Sequence, residues 1–254
     1  MSTSLANDAT LADQAVPVRG GLLQNALPAP DGWERGGLEV LLNGAAEPLL
    51  LDRCFTVSER DLARPEPTRF IPFQIETGST CSTLSMLDHD AVARDRLAAT
   101  TEYAVGRQLA LDVLDLGTPS LDDAQSLGEA GGVASGVGCL EEQAALAGFG
   151  SRWFLHASPR TAAALRDAGM IDSNRRSPSG AQWIMSTGYA GTEPGRVWAT
   201  GTVWVGQGAP SIRSVIEHRR NDDFSIADRS ALVAFDPSIL LSIDVPVGDC
   251  PTTN

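Results

Sequence analysis

Residues 88–116 read DHDAVARDRLAATTEYAVGRQLALDVLDL, 29 residues with no proline and a single glycine, Gly106. At 1.5 Å rise per residue this predicts a helix of roughly 40 Å, far above the usual 11–12 residues. Asp88 and Asp90 suit the positive end of such a helix, and Gly117-Thr118-Pro119 is expected to end it. Ala93, Leu97, Thr100, Ala104 and Leu111 fall near one stripe, and Val92, Tyr103, Leu109 and Val113 near another. Two narrow apolar stripes predict a helix clasped between a sheet and another element. Just upstream, Phe70-Ile71-Pro72-Phe73-Gln74-Ile75 is an extended stretch: Pro72 blocks helix, while Phe and Ile favour a strand. In a chain of 254 residues a helix this long cannot be covered on all sides by its own domain. It reads as a structural strut.

Working outward, residues 1–32 show no sustained period and read as an arm, ordered only if something holds it. From Trp33 to Val57, the apolar runs Leu38–Leu42 and Leu49–Leu51 flank Asn43-Gly44, which predicts a long hairpin. Residues 58–69, SERDLARPEPTR, are charged, broken by Pro65 and Pro67, and suit an exposed connector. Beyond the long helix come a turn, a Gly-rich loop over Gly131–Gly138 and a helix near Cys139–Gly148. A strand at Arg152–His156 is followed by a helix with Ser158 as its cap and Pro159 at its first position, ending near Gly169. Gln182–Val205 reads as a β region, and Ser230–Val245 as two strands split by Asp236-Pro237. This order implies a mixed α+β fold.

Hydrophobic residues make up 43% of the chain, enough for a core, and no apolar run approaches the 18 residues of a membrane span. The first residues lack a basic region followed by an apolar one, so no secretory signal is expected. Cys54, Cys81, Cys139 and Cys250 are far apart and read as reduced structural thiols. All 19 basic residues are arginine, a bias that GC-rich coding would produce. It excludes Schiff-base, P-loop and crosslinking lysines. The net charge of −13 disfavours nucleic-acid binding as the main activity. That charge is uneven: residues 101–150 carry one Arg against eight acids, and residues 151–200 six Arg against three. Either the two segments are differently solvated faces, or one patch meets the other on a neighbouring copy.

A search for chemistry finds no zinc spacing, Walker loop or nucleophile elbow. Gly136-Val137-Gly138 lacks the third glycine of a dinucleotide fingerprint. In Asp88-His89-Asp90, adjacent helical residues diverge by about 100° and favour capping over metal ligation. His156, two residues before Ser158, could be a general base, although capping accounts for Ser158-Pro159. His218 sits in a charged stretch that reads as a solvated turn. Trp153, Trp183, Trp198 and Trp204 fall in predicted strands, which favours core packing or subunit contact over a stacking platform. Nothing converges into a catalytic, cofactor or metal site.

The segment Phe70–Leu116 resembles the corresponding part of major capsid proteins of tailed bacteriophages, especially those of actinobacterial hosts. The resemblance is carried by Phe70-Ile71-Pro72-Phe73, Thr80-Cys81-Ser82-Thr83-Leu84 and a long helix containing Tyr103–Leu109. It continues through Phe154–Thr161, Gly180–Gly188, Ala199-Thr200-Gly201 and Ala227–Pro237, in the family's order. It implies a Hong Kong 97-type shell fold: residues 1–32 an N-terminal arm, 33–78 an extended loop, and 79–118 a peripheral domain with its spine helix. Residues 119–210 would form an axial domain, and 211–254 the return strands and tail. Trp33, Leu38, Leu50, Arg60, Arg64 and Arg69 would lie at contacts between copies. The implied function is non-enzymatic and needs no cofactor: self-assembly into hexamers and pentamers of an icosahedral shell around double-stranded DNA, without a membrane. Assembly would take place in the bacterial host cytoplasm and the product would reside in the virion, with separate scaffolding, portal and decoration proteins as partners. Some relatives crosslink through lysine, which this chain lacks, and no room is visible for a long N-terminal scaffolding extension. The alternatives are an encapsulin-like nanocompartment shell or another virion component such as a tail or connector protein. From a different class comes a Ser/His hydrolase with His156 as its base.

Overall fold

The computed structural model describes residues 20–40, 67–82, 88–148, 152–217 and 222–248. Leu50, Arg60, Arg64, the Asn43-Gly44 turn, Cys54, Cys250 and His218 lie outside them. In chain order the elements are α1 (Leu22–Asn25), β1 (Leu27–Pro28), α2 (Trp33–Gly36), β2 (Leu38–Val40), β3 (Thr68–Phe70), β4 (Phe73–Ser82) and α3 (His89–Leu111). There follow β5 (Gln125–Glu129), α4 (Val133–Gly148), β6 (Phe154–Ala157), α5 (Pro159–Asp167), β7 (Gln182–Met185), β8 (Arg196–Thr200), β9 (Val203–Gln207), β10 (Ser211–Glu217), β11 (Asp222–Phe235) and β12 (Leu240–Asp244). This is the mixed α and β succession expected from the sequence.

The 14-residue strand β11 organises the first sheet. On one side it pairs antiparallel with β4, from Asp222↔Ser82 to Ala231↔Phe73. On the other side β10 pairs with its first half and β9 with its second, and β1 adds a short parallel edge to β9. Burial follows the same division. Along β4, Phe73, Ile75 and Ser79 are buried while Gln74, Glu76 and Gly78 are exposed, the alternation of a sheet with one solvated face. Residues 231–235 of β11 are buried without alternation, because elements cover both faces there.

The long helix α3 lies on this sheet, in contact with β4, β10 and β11. Asp88 caps it, its side chain accepting from the Ala91 N–H at 3.0 Å. The helix stops at Leu111, earlier than the sequence suggests. Asp112 adopts a left-handed conformation (φ 42°) and its carboxylate accepts from the N–H groups of Leu116 at 3.2 Å and Gly117 at 3.0 Å. An Asp side chain that offers acceptors to nearby N–H groups competes with further helix, and Asp tolerates this backbone conformation. The row Ala93, Leu97, Thr101, Val105 and Leu109, four apart, is buried, and beside it Glu102 and Gly106 are buried against Ser186, so the helix lies between the first sheet and the Thr187–Tyr189 turn, as the sequence predicts. Of the second expected stripe Leu109 is buried while Tyr103 and Val113 are exposed, and of the first Thr100 is exposed.

The second sheet has the order β5-β12-β8-β6-β7, with β5/β12 and β6/β7 parallel and the other pairs antiparallel. Its strands alternate between two cores. Phe154, Ile184 and Trp198 join the core shared with α3, while Leu155, Ala157, Trp183, Val197 and Ala199 join one beneath α4 and α5. Helix α4 begins at Val133, inside the stretch expected as a Gly-rich loop. The helix-propensity penalty of about 1 kcal/mol per glycine is offset by packing. A Cβ on Gly136 would lie 2.6 Å from Val245 and 2.8 Å from Ala130, so the glycine lets the helix seat closely, and the neighbouring Val137 and Leu140 are fully buried.

Candidate assembly surfaces

The arm expected over residues 1–32 is held from Gly20 onward. Leu22 is fully buried in the core shared with α3. Glu102, on the buried face of α3, accepts from the N–H groups of Leu22 at 2.7 Å and Leu23 at 2.9 Å, and from the Ser186 hydroxyl at 2.8 Å. The carboxylate thus satisfies two of the N–H groups that a helix start leaves without partners, and binds them to the Ser186 turn. The space is tight. A Cβ on Gly106 would collide with the Ser186 hydroxyl, and one on Gly188 would lie 2.5 Å from the Tyr103 carbonyl. Glycine at both places lets the Thr187–Tyr189 turn touch the backbone of α3.

The ladder between β2 and β3 sets Val40 opposite Thr68, so these two positions lie side by side although they are 28 residues apart in the chain. Of the residues expected at contacts between copies, Trp33 is 9% exposed and packs in its own chain's core, its ring against Gly206. Leu38 is half-buried against the same core. Arg69 is exposed and donates to the Gly36 carbonyl at 3.1 Å.

The candidate catalytic pair does not come together. His156 is fully buried in β6, with Nδ1 2.9 Å from the Tyr189 hydroxyl and Nε2 2.8 Å from the Thr200 hydroxyl. Thr200 donates to the Gly201 carbonyl, so it accepts from His156 Nε2–H, and Tyr189 donates to Nδ1. Burial pushes the imidazole down to about 3, which keeps it neutral. Burial, and secondarily the Glu102 charge, raises the Tyr189 phenol well above its usual range, which keeps it a donor. Ser158 instead caps α5, accepting from the Thr161 N–H at 3.3 Å. Asp90 binds the Ser214 and Ser225 hydroxyls, which lower its pKa and tie the start of α3 to β10 and β11. Trp183 and Trp198 are core residues, and Cys139 is an exposed free thiol. Among the described residues no His, Cys, Asp or Glu group could hold a metal ion, and no helix is long and apolar enough to cross a membrane.

This architecture of two sheets joined through one long helix is shared along nearly the whole chain by known structures. A chain from Gordonia phage Cozz superposes with a TM-score of 0.57 at 16% identity, covering 88% of this chain and 85% of that one. The capsid of Myoviridae phage XM1 gives 0.54 at 10% identity, covering 89% and 91%. The holo-SrpI encapsulin complex from Synechococcus elongatus gives 0.58 at 16% identity, covering 100% and 95%. The fold is that of capsid-type shell proteins. No family model matches the sequence, and no curated protein matches it. The resemblance of Phe70–Leu116 to tailed-phage capsid proteins is therefore met by the fold of the whole chain.

Sequence reading missed Glu102, Ser186 and Gly188. Glu102 and Gly106 lie one turn apart beside the Leu97, Thr101, Val105 row, and a charge and a glycine flanking such a row are the available signal.

Proposed function

We propose that this chain is the major capsid protein of a tailed double-stranded DNA bacteriophage, assembling as hexamers and pentamers into an icosahedral shell around the genome. The observation that carries this reading is the near full-length agreement in fold with phage capsid structures, joined to the ordered motifs from Phe70 to Pro237. Residues 1–32 act as the arm and 33–78 as the extended loop that overlaps a neighbour. Residues 79–118 form the peripheral domain, 119–210 the axial domain and 211–254 the return strands and tail. Many modest contacts between copies permit correction of errors while their sum holds the closed shell. Without lysine the shell is held non-covalently or by a decoration protein, alongside scaffolding and portal partners. An acidic chain leaves DNA loosely held against the wall.

The test is to produce the chain alone and with a scaffold and image it by negative stain. Closed particles support the reading; tubes indicate a tail component, and small globular oligomers an enzyme. Replacing Arg60, Arg64 and Arg69 together by Ala is expected to lower particle yield while leaving the thermal melt of the subunit unchanged. Normal particle yield would count against the loop assignment. A second reading, a cellular nanocompartment shell, is favoured by the encapsulin match over the whole of this chain. Particles from the native source holding nuclease-protected double-stranded DNA support the phage reading, and particles filled with a protein cargo the nanocompartment.

A further inference from the structure

The two flanks of the second sheet expose charges of opposite sign, arginines at β7, where Asp172 accepts from the Arg176 backbone N–H at 2.7 Å, and carboxylates at β5. At the β7 flank an open cleft of about 450 Å³ is lined by Arg152, Trp153, Arg176, Ser179 and Gln182 among others. Arg152 is exposed, its guanidinium 5.0 Å above the Phe154 ring. Arg176 is also exposed and gives one N–H to the Gly180 carbonyl at 3.2 Å. Among the described residues neither guanidinium has a carboxylate within ion-pair distance. The backbone edge of β7 is already used: Trp183 N–H donates to the Arg175 carbonyl at 2.8 Å and Met185 N–H to the Gly20 carbonyl at 2.9 Å. What this flank offers a partner is therefore guanidinium and indole surface, not strand pairing.

At the other end, β5 pairs only with β12. Gln125, Ser126, Gly128 and Glu129 are exposed along it, and Asp122 is exposed in the turn just before it. Neither Asp122 nor Glu129 has an arginine within ion-pair distance among the described residues, although the Asp122 charge is felt by Arg196, which is already paired with Asp244 and Glu193. Four strand spacings of about 4.8 Å put the two flanks roughly 19 Å apart, about twice the screening length at physiological salt. The charges of one copy therefore do not neutralise each other.

We propose that the Arg152/Arg176 cleft of one copy receives the β5 flank of the next, the guanidiniums taking the carboxylates of Asp122 and Glu129 and Trp153 lying against the strand edge. The occupant is a second copy because the complementary flank is part of the same sheet, displaced by the sheet's width. Two unlike patches on one subunit make a head-to-tail contact, which closes into a ring when the rotation permits. A nucleic acid in the cleft would face the −13 net charge of the chain. This contact rests on the shell reading above and names the surfaces that would build its rings.

The experiment compares particle and ring formation, by negative stain and sedimentation, under the conditions in which the wild type assembles. The Arg152→Glu/Arg176→Glu variant is expected to keep its thermal melt and lose assembly. Adding Asp122→Arg and Glu129→Arg to the same chain restores closed particles. Mixing the two single-flank variants restores rings of even number only, because unlike copies must alternate. Wild-type assembly by the first variant, or no recovery in the four-residue swap, overturns the contact and leaves the shell reading standing. Binding of double-stranded DNA that the arginine variant loses without loss of assembly also overturns it. A wild type that assembles under no condition, with or without scaffold, overturns the shell reading itself.

Discussion

The two sheets solve the same burial problem differently. The first takes its strands from residues 27–28, 73–82 and 203–235, covers one face with α3, and leaves the other polar along β4. Its helix is fixed by polar ties: Asp90 to Ser214 and Ser225, Arg96 to the Gly78 carbonyl at 2.9 Å, and Glu102 to the arm root. The second is covered on both faces and locked by apolar packing, with its one histidine neutral between two hydroxyls. The helix buries Ala93, Leu97, Val105 and Leu109 in the shared core, and because apolar contact is non-directional, charged hydrogen bonds fix where along the sheet it sits. A layer buried twice must pair whatever polar groups it keeps: His156 lies between two hydroxyls, and Arg196 on β8 is paired with Asp244 on β12 at 2.9 Å.

Breaking the first layer at its clamp has the largest expected effect. Glu102→Ala removes three hydrogen bonds to a carboxylate and leaves the Leu22 and Leu23 N–H groups without partners, a loss of roughly 4 kcal/mol. Urea unfolding measures it, and faster hydrogen exchange at Leu22 and Leu23 locates it; unchanged exchange there would mean that the clamp does not hold the arm. Gly188→Ala tests the seam between the layers, since its Cβ would be forced against the backbone of α3. About 2 kcal/mol of destabilisation is expected from such overpacking, read from the same unfolding curves.

The second layer is sharpened by pH. His156 has an ordinary pKa of 6.5 when unfolded and about 3 when folded. Its contribution is complete above pH 6.5 and is lost as pH falls from there towards 3, because the unfolded chain takes up a proton that the folded chain refuses. The stability gap between wild type and His156→Gln should therefore narrow by about 1.4 kcal/mol per pH unit below 6.5, measured by urea midpoints. A gap constant from pH 7 to pH 5 would show that the imidazole is not held neutral. The smallest effect belongs to the solvated face of the first sheet. Arg213 pairs with the exposed Glu76 at 3.0 Å and more loosely with Asp228 at 3.8 Å, so Glu76→Ala, which breaks only the exposed pair, should change stability by no more than about 0.5 kcal/mol in urea unfolding.

Much of the fold was legible in the chain because local rules act there. Asp88 and Ser158 cap where a short acceptor precedes a helix, Pro72 separates β3 from β4, and Asp236-Pro237 separates β11 from β12. These features depend on near neighbours, whose geometry is the same in any fold. The errors lie where distant residues decide. Helix α4 runs through Gly136 because Val245, far along the chain, needs the space a side chain would fill. The end of α3 was set by one carboxylate and not by the glycine and proline that follow.

What the sequence determined by itself was the kind and order of elements and the opposed charge of residues 101–150 and 151–200. Only the tertiary structure decided that Glu102 would hold the arm root, that Trp33 would be covered by its own chain, that β9 would join the first sheet and β8 the second, and that Arg152 and Arg176 would stand at one flank of the second sheet and Asp122 and Glu129 at the other. The reason is physical. Periodicity and capping are short-range, whereas desolvation of a carboxylate, close backbone contact and the position of a sheet edge depend on which remote segments the chain brings together.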